Sequence, residues 1–267
     1  MLKIGIVGCG GRMGRMLLRQ TLETDGVRLI GGTERPGSAL VGQDLGVLAG
    51  ADPIDVTVTD NPAALFAAAD AVIDFTRPEA TLAHAALAAE TNTVLVIGTT
   101  GLEGADIDRL RDAAGRTRIV QAPNMSAGVN LLFALTRQVA ATLGIAFDIE
   151  IVEHHHRHKV DAPSGTALGL GRAAAEGRGV DLDAVSDRGR DGHTGPRADG
   201  HIGFAVLRGG DVVGDHTVVF AGPGERLELT HKASDRAIYA HGALRAARWA
   251  ADQPNGLYGM ADVLGLG

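Results

Sequence analysis

Between Glu153 and Ala167 the chain reads Glu-His-His-His-Arg-His-Lys-Val-Asp-Ala-Pro-Ser-Gly-Thr-Ala. Four of the ten histidines, an arginine, a lysine and two carboxylates fall within these positions. Histidine exchanges protons near neutral pH, and a lysine set among other cations is placed to join that chemistry. The excess of positive charge suits a small anionic ligand that must gain or lose a proton. Imidazoles in such a run could instead bind a metal. Arg157 and Lys159 inside the run would repel a cation, so no metal is assigned. A charged run can also be a plain solvated loop; the density of histidine and the Ser-Gly-Thr that follows argue for chemistry instead.

Those side chains need elements to hold them. Ile145 to Val152 is apolar and β-branched with interleaved polar residues, which predicts a strand ending where the polar run begins. After the run, a proline and small hydroxyl residues give way to an apolar stretch. This predicts a helix over Thr166 to Glu176 capped by Asp161 or Ser164. The unsatisfied N–H groups of its first turn, with the Ser164 and Thr166 hydroxyls, make an anion site.

Composition narrows the classes. The 267 residues are 45% hydrophobic with a net charge of -7, which describes a globular chain with no general affinity for nucleic acid. Cys9 is the single cysteine, so no intrachain disulfide forms, as in a reducing compartment. The amino terminus enters a strand directly with no leader pattern, and no apolar run approaches a membrane span. The expected location is the cytoplasm.

The front half alternates strand and helix. Leu2 to Val7 is a buried-strand run, followed by Gly8-Cys9-Gly10-Gly11-Arg12-Met13-Gly14 and a helical pattern through Leu22. Strand, glycine turn and helix form the context of a dinucleotide site, in which the backbone approaches a pyrophosphate resting on the helix N-terminus. The third glycine of the fingerprint would fall at Met13 and comes one residue later, at Gly14. Past the second strand, Val27 to Gly32, stand Glu34 and Arg35, a carboxylate for a ribose 2′-hydroxyl and a guanidinium for a 2′-phosphate. Either NADH or NADPH is therefore expected. Further strands are predicted at 55–59, 71–75, 93–97 and 117–121, with helices at 62–69, 77–90 and 103–114. Together they make a parallel sheet wound on both faces. The turns Phe75-Thr76-Arg77, Gly98-Thr99-Thr100 and Ala122-Pro123-Asn124-Met125 fall at its carboxyl edge, where ligands bind.

From Ser126 to Leu143 an apolar-periodic helix, capped by Ser126 or Asn124, leads out of this domain. Residues 177–200 are expected to be irregular. The stretches 202–207, 212–220 and 225–231 then read as a meander of antiparallel strands, joined into one mixed sheet, open on a face, by the strand that ends at Glu153. A helix at 236–251 and a short tail close the chain. The fold class is α/β: a Rossmann-like doubly wound sheet plus a second α+β domain.

Taken together, Gly8 to Gly14, Asp74-Phe-Thr-Arg77-Pro, Gly98-Thr-Thr-Gly101, His155 to Thr166 and Gly224-Glu-Arg-Leu-Glu-Leu-Thr-His-Lys-Ala-Ser234 resemble the 4-hydroxy-tetrahydrodipicolinate (dihydrodipicolinate) reductase family over nearly the whole chain. The histidine-lysine-Ser-Gly-Thr block is the specific part. The resemblance implies reduction of a cyclic unsaturated imine dicarboxylate by NADH or NADPH in the bacterial diaminopimelate and lysine pathway. It implies His155 as proton donor or acceptor and Lys159 as a second donor, with His156, Ser164, Gly165 and Thr166 on the substrate carboxylates. Gly8 to Met13, Glu34, Arg35, Phe75, Arg77, Gly98 to Thr100 and Ala122 to Met125 would bind the cofactor. A dinucleotide-binding domain of 1–126 and 237–267, a substrate and oligomerisation domain of 127–236, and a homotetramer joined through open sheets are implied as well. Because the histidine-lysine loop must swing toward a cofactor held on another domain, closure about hinges near Ser126 and Arg236 is expected. Other readings are a different nicotinamide-linked dehydrogenase of an anionic imine or carbonyl, and a non-catalytic dinucleotide sensor. A sensor gives Lys159 and its histidines nothing to do.

Overall fold

The structure, a computed structural model, describes residues 1–266. Strand β1 (Leu2–Val7) leads into helix α1 (Arg12–Leu22), then β2 (Val27–Thr33), α2 (Leu45–Ala49), β3 (Val58–Thr59), α3 (Pro62–Ala68), β4 (Ala71–Asp74), α4 (Pro78–Thr91), β5 (Val94–Ile97), α5 (Gly104–Ala114) and β6 (Arg118–Gln121). There follow α6 (Ala127–Leu143), a 3-10 turn at Gly144–Ala146, β7 (Asp148–His155), α7 (Gly165–Arg178), α8 (Leu182–Val185), β8 (Ser186–Asp187), β9 (Ile202–Arg208), β10 (Gly214–Gly222), β11 (Glu225–Ala233), α9 (Ala237–Ala251), β12 (Gly256–Tyr258) and α10 (Met260–Leu264). The chain divides into two compact units: Met1–Ser126 with the segment from Ala237 onward, and Ala127–Arg236.

In the first unit seven parallel strands lie in the order β12-β6-β5-β4-β1-β2-β3. Strand residues alternate between two cores, because side chains of successive residues point to opposite faces. Ile4, Ile6, Ile73 and Val96 pack with Leu17, Leu18, Ala243 and Ala247 of α1 and α9. Val7, Val72, Leu95 and Ile97 pack with Phe66, Ala88 and Leu110 of α3, α4 and α5. Helices thus cover both faces, as a buried parallel sheet requires. The tail does more than the sequence suggested: β12 adds a strand at the sheet's edge, with Leu257 opposite Ile119. The strand expected over 55–59 shrinks to Val58–Thr59, since Thr57 is taken up in a bridge to Asp44, the residue that caps α2.

In the second unit the strand order is β11-β10-β7-β9-β8. This corrects the meander. Strands β9 and β10 are not neighbours, because β7 lies between them, parallel to β9 and antiparallel to β10. The turn joining β9 to β10 therefore crosses the end of β7 and bonds to it: His156 N–H donates to Val212 O at 2.8 Å and Gly209 N–H to His155 O at 3.0 Å. Strand β7 also departs from expectation at both ends. A 3-10 turn takes Gly144–Ala146, and the strand continues through the histidines to His155. The segment 177–200 holds the short α8 and β8, its loop pinned by Arg197 to Asp148 (2.9 Å) and Glu150 (2.9 Å). Helices α6 and α7 pack on each other, and Leu132, Ala140, Leu170 and Ala174 fill a core with Ile149, Ile151, Val218 and Phe220.

The stretch Ala127–Ala146 is, by length and composition, apolar enough to cross a membrane, contrary to the expectation that no run comes close. In the unit it serves as a packing helix. Val129, Leu132, Thr136 and Ala140 are buried, while Leu131 and Leu135 remain exposed.

Candidate active site

The inward alternation of β7 runs Ile149, Ile151, Glu153, His155, so a carboxylate and an imidazole continue the core-facing row. Glu153 is 1% exposed and His155 8%. Burying a carboxylate is costly unless it is paired and hydrogen-bonded. Glu153 meets both conditions. Arg208 grips it with two N–H groups, at 2.7 Å to Oε2 and 2.9 Å to Oε1. His155 Nδ1 lies 2.6 Å from Oε2, and Ser164 N–H donates to Oε1 at 2.9 Å. Burial alone would raise the Glu153 pKa; hydrogen bonds from Arg208, His155 and Ser164 bring it below the ordinary glutamate value. His155 is lowered by burial and by the Lys159 and Arg208 charges, against the upward pull of Glu153.

Ser164, rather than Asp161, caps α7: its Oγ accepts the Ala167 N–H at 3.1 Å. The same oxygen lies 3.0 Å from His216 Nε2 on β10. Burial and the neighbouring His155 charge push His216 down to about 4, so it is neutral at pH 7 and adds no cation beside His155. The two rings meet edge to face at 5.0 Å between centroids. Gly214 makes room for His155, since a Cβ there would sit 2.9 Å from Nε2. Gly165 is exposed and Thr166 half-buried at the start of α7, in the first turn where backbone N–H groups attract an anion.

Beyond His155 the loop turns outward. His156 is half-buried, and its Nε2 lies 3.5 Å from the Arg236 guanidinium. Neighbouring positions along the chain surround Lys159 with cations. Its ammonium instead pairs with Asp161 at 2.8 Å, and Arg208 donates to the Asp161 carbonyl at 2.7 Å. The Lys159 bond also draws the Asp161 pKa below the ordinary value. Arg157 and His158 are exposed. Within one unit, then, the structure gathers His155, His156, Lys159, Ser164 and the first turn of α7 around a buried ionic centre.

Sequence reading missed Glu153, Arg208, His216 and Arg236 as parts of this arrangement. Glu153 was legible in principle, since period two from Ile149 and Ile151 turns it inward. Arg208 and His216 were not, because only the strand order brings them beside β7.

In the first unit the carboxyl ends of β1, β2 and β4 border a cleft of about 730 Å³ whose lining includes Gly8, Gly10, Gly11, Glu34, Arg35, Phe75 and Arg77. Gly8 adopts φ +65°, and a Cβ there would press on Thr76 Cγ2 at 2.8 Å. Gly14, one place late in the fingerprint, does the third glycine's work: its Cα faces Gly8 O and Cys9 with no space for a side chain. Helix α1 begins at Arg12 after an N-cap, Gly11, that has no side chain to cap it, and Gly10 N–H is held by Glu34 Oε1 at 2.7 Å. A close backbone approach, an uncapped helix start and a carboxylate at the end of β2 fit a dinucleotide.

The remaining residues expected there are less uniform. Arg12 is exposed and Met13 half-buried in the first turn of α1. Cys9 is buried, its thiol pushed up to about 12 by burial and by Glu34, and it packs rather than reacts. Gly98 lies against the Phe75 ring. Thr99 is buried, bonded to Thr81 (2.9 Å) and Asp74 (3.4 Å), while Thr100 is exposed. Ala122 and Met125 are buried, Pro123 is exposed, and Asn124 Oδ1 accepts the Ser126 N–H at 2.9 Å. Unforeseen is a fully buried Asp74 under the cleft, accepting from Thr76 Oγ1 at 2.6 Å and bonded to His84 Nδ1 at 2.8 Å.

Comparison with known proteins adds independent findings. Residues 2–125 match the family described as dihydrodipicolinate reductase, N-terminus, and 128–264 the one described as dihydrodipicolinate reductase, C-terminus. A 4-hydroxy-tetrahydrodipicolinate reductase of Dinoroseobacter shibae is 59% identical over 263 residues, 98% of each chain. One from Beijerinckia indica is 55% identical over 266 residues, covering 100% of this chain and 98% of its own. Among solved structures, the dipicolinate-bound dihydrodipicolinate reductase of Paenisporosarcina sp. TG-14 superposes with a TM-score of 0.79 at 25% identity, covering 99% of this chain and 100% of that one. A probable dehydrogenase from Thermotoga maritima (TM-score 0.63, 12% identity, 99% and 93% coverage) shares the fold.

Proposed function

The chain belongs to the dihydrodipicolinate reductase family, and from that premise we propose which residues carry the reduction of the ring derived from 4-hydroxy-tetrahydrodipicolinate to tetrahydrodipicolinate. The enzyme is an oxidoreductase of the diaminopimelate and lysine pathway that uses a nicotinamide cofactor. In this reading residues 1–126 with 237–267 bind the dinucleotide and 127–236 bind the dicarboxylate. Gly8, Gly10 and Gly11 with the start of α1 take the pyrophosphate, and Glu34 takes the ribose hydroxyls after releasing Gly10 N–H. Arg35 accepts a 2′-phosphate, so both NADH and NADPH serve. The bound nicotinamide supplies hydride.

The chain's own residues do the rest. The first turn of α7, with Ser164, Gly165 and Thr166, receives a carboxylate of the substrate; His156 holds the other, and Arg236 adds charge 3.5 Å from it. After hydride arrival the ring carries an electron-rich carbon that must be protonated before product leaves. His155 gives that proton, its imidazolium stabilised by Glu153, and Lys159 serves as second donor on leaving Asp161. The observation that carries this reading is a buried imidazole tied to a carboxylate at 2.6 Å beside the Ser164-capped first turn of α7. The protein is placed in the cytoplasm and assembles as a homotetramer through the exposed face of its mixed sheet.

Mixing the protein with NADH or NADPH and the fresh condensation product of pyruvate and aspartate semialdehyde should consume the nicotinamide absorbance. A protein that binds either cofactor yet leaves the absorbance unchanged would refute the reading.

A further inference from the structure

The Glu153 carboxylate sits where three parts of the substrate unit meet. An ionised carboxylate only accepts hydrogen bonds, with about four lone-pair sites. Oε2 takes Arg208 Nη1 at 2.7 Å and faces His155 Nδ1 at 2.6 Å; Oε1 takes Arg208 Nη2 and Ser164 N–H, both at 2.9 Å. Every lone pair is engaged, and all four partners can act as donors. Nδ1 of His155 must therefore carry hydrogen, which leaves Nε2 as the atom free to exchange a proton.

The other partners extend the reach of the same group. Ser164 is the cap of α7, so its N–H bond to Glu153 sets where the helix's first turn begins relative to His155. Arg208 also holds the Asp161 carbonyl at 2.7 Å, and Asp161 holds Lys159 at 2.8 Å. Base, anion cradle and lysine loop share one anchor.

We propose that Glu153 is the positioning residue of the reduction: it fixes His155 as the Nδ1–H tautomer with Nε2 working, and through Ser164 and Arg208 it sets the distances from that atom to the anion cradle and to Lys159. The proposal rests on the reductase reading above. In the protonation step the Nε2–H bond breaks and a C–H bond forms on the ring, so the imidazolium ends as the neutral Nδ1–H form that Glu153 already prefers. The charged and titratable groups facing the pair are Arg208 from β9, His216 from β10, and Lys159 and Asp161 from the loop. None of these bonds directly to the His155 ring; Glu153 alone favours the imidazolium through a direct bond.

The test uses the whole chain labelled with 15N-histidine, with long-range nitrogen-proton spectra at neutral pH and His155 identified through H155N. The unsubstituted protein should show His155 protonated at Nδ1. E153Q keeps an oxygen for Ser164 and Arg208 Nη2 but turns an amide N–H toward His155 and Arg208 Nη1; it should switch the ring to Nε2–H and lower its pKa. The kcat should fall about 100-fold or more while KM stays within about threefold, because the cradle is kept. The limb of the kcat profile that reports loss of the acid should move to lower pH. E153D, which restores charge with shorter reach, should recover part of kcat and part of the pKa. An Nε2–H ring in the unsubstituted protein, which needs no variant to fold, overturns the proposal, as does E153Q with unaltered kcat and pH profile. A fault in the reductase reading shows differently: no turnover by the unsubstituted protein although its ring is Nδ1–H, which overturns the role in this reaction.

Discussion

Replacing Gly14 by alanine sets two physical effects against each other. In a helix interior alanine is favoured over glycine by about 1 kcal/mol. Gly14 is inside α1, so propensity alone predicts stabilisation. The structure reverses the sign. The new Cβ would lie 2.7 Å from Cys9 C and Cα and closer still to Gly8 O, all of them backbone atoms. Ordinary contact begins near 3.4 Å, so the helix or the turn must withdraw by about 0.7 Å from Cys9 and by more from Gly8 O, and overpacking of this kind typically costs about 1–3 kcal/mol. The expected net is a loss of up to about 2 kcal/mol, read as an earlier urea midpoint. NADH binding should weaken with it, because the turn that moves carries Gly10 and Gly11. Gly104→Ala is the control. Gly104 opens α5 with nothing within 4 Å of its added Cβ, so there propensity should prevail and stability should not fall. A G14A protein more stable than the parent, with unchanged cofactor affinity, would refute the reasoning.

Three further outcomes follow from named contacts. Lys159→Ala should reduce kcat at least about 100-fold while leaving NADH affinity intact; unaltered turnover removes Lys159 from the chemistry. Arg35→Ala should raise the NADPH Kd more than that of NADH, as titration of each cofactor would show, and equal effects refute the phosphate role. His216 has its pKa depressed from 6.5 to about 4 in the folded state. The unfolded chain binds this proton first, so stability falls as pH drops from about 6.5 toward 4, by up to about 3 kcal/mol. His216→Asn should flatten that part of the urea-stability profile, and an identical slope in parent and variant counts against it.

Much of the first unit was legible because its signals are local. Apolar runs, the glycine turn and the Pro62 and Pro78 helix starts each announce themselves within a few residues. The third glycine was displaced in the fingerprint, yet the space around Gly14 shows why the shift is tolerated. The second unit was legible in its pieces and not in their order. Consecutive strands separated by turns predict hairpins, and that rule fails for β9 and β10 because β7 occupies the place between them. The same failure concealed Arg208 and His216, residues 55 and 63 positions along the chain from Glu153 whose closeness to it exists only in the folded sheet. Glu153 was overlooked for a different reason, since a charged residue was taken as the end of a strand when it was an inward position of one.

The strand that bears the histidines is central in its sheet and is made before either neighbour. When α7 has left the ribosome, β7 still lacks both flanking strands, which arrive with Ile202–Arg208 and Gly214–Gly222. The ionic centre cannot close until Arg208 is synthesised, and the edge of the other sheet waits for Gly256–Tyr258. Such sequence-distant pairings fold slowly. Translation halted anywhere before residue 208 should yield chains without the Glu153–Arg208 ionic centre, and with the first sheet still lacking α9 on one face and β12 at its edge.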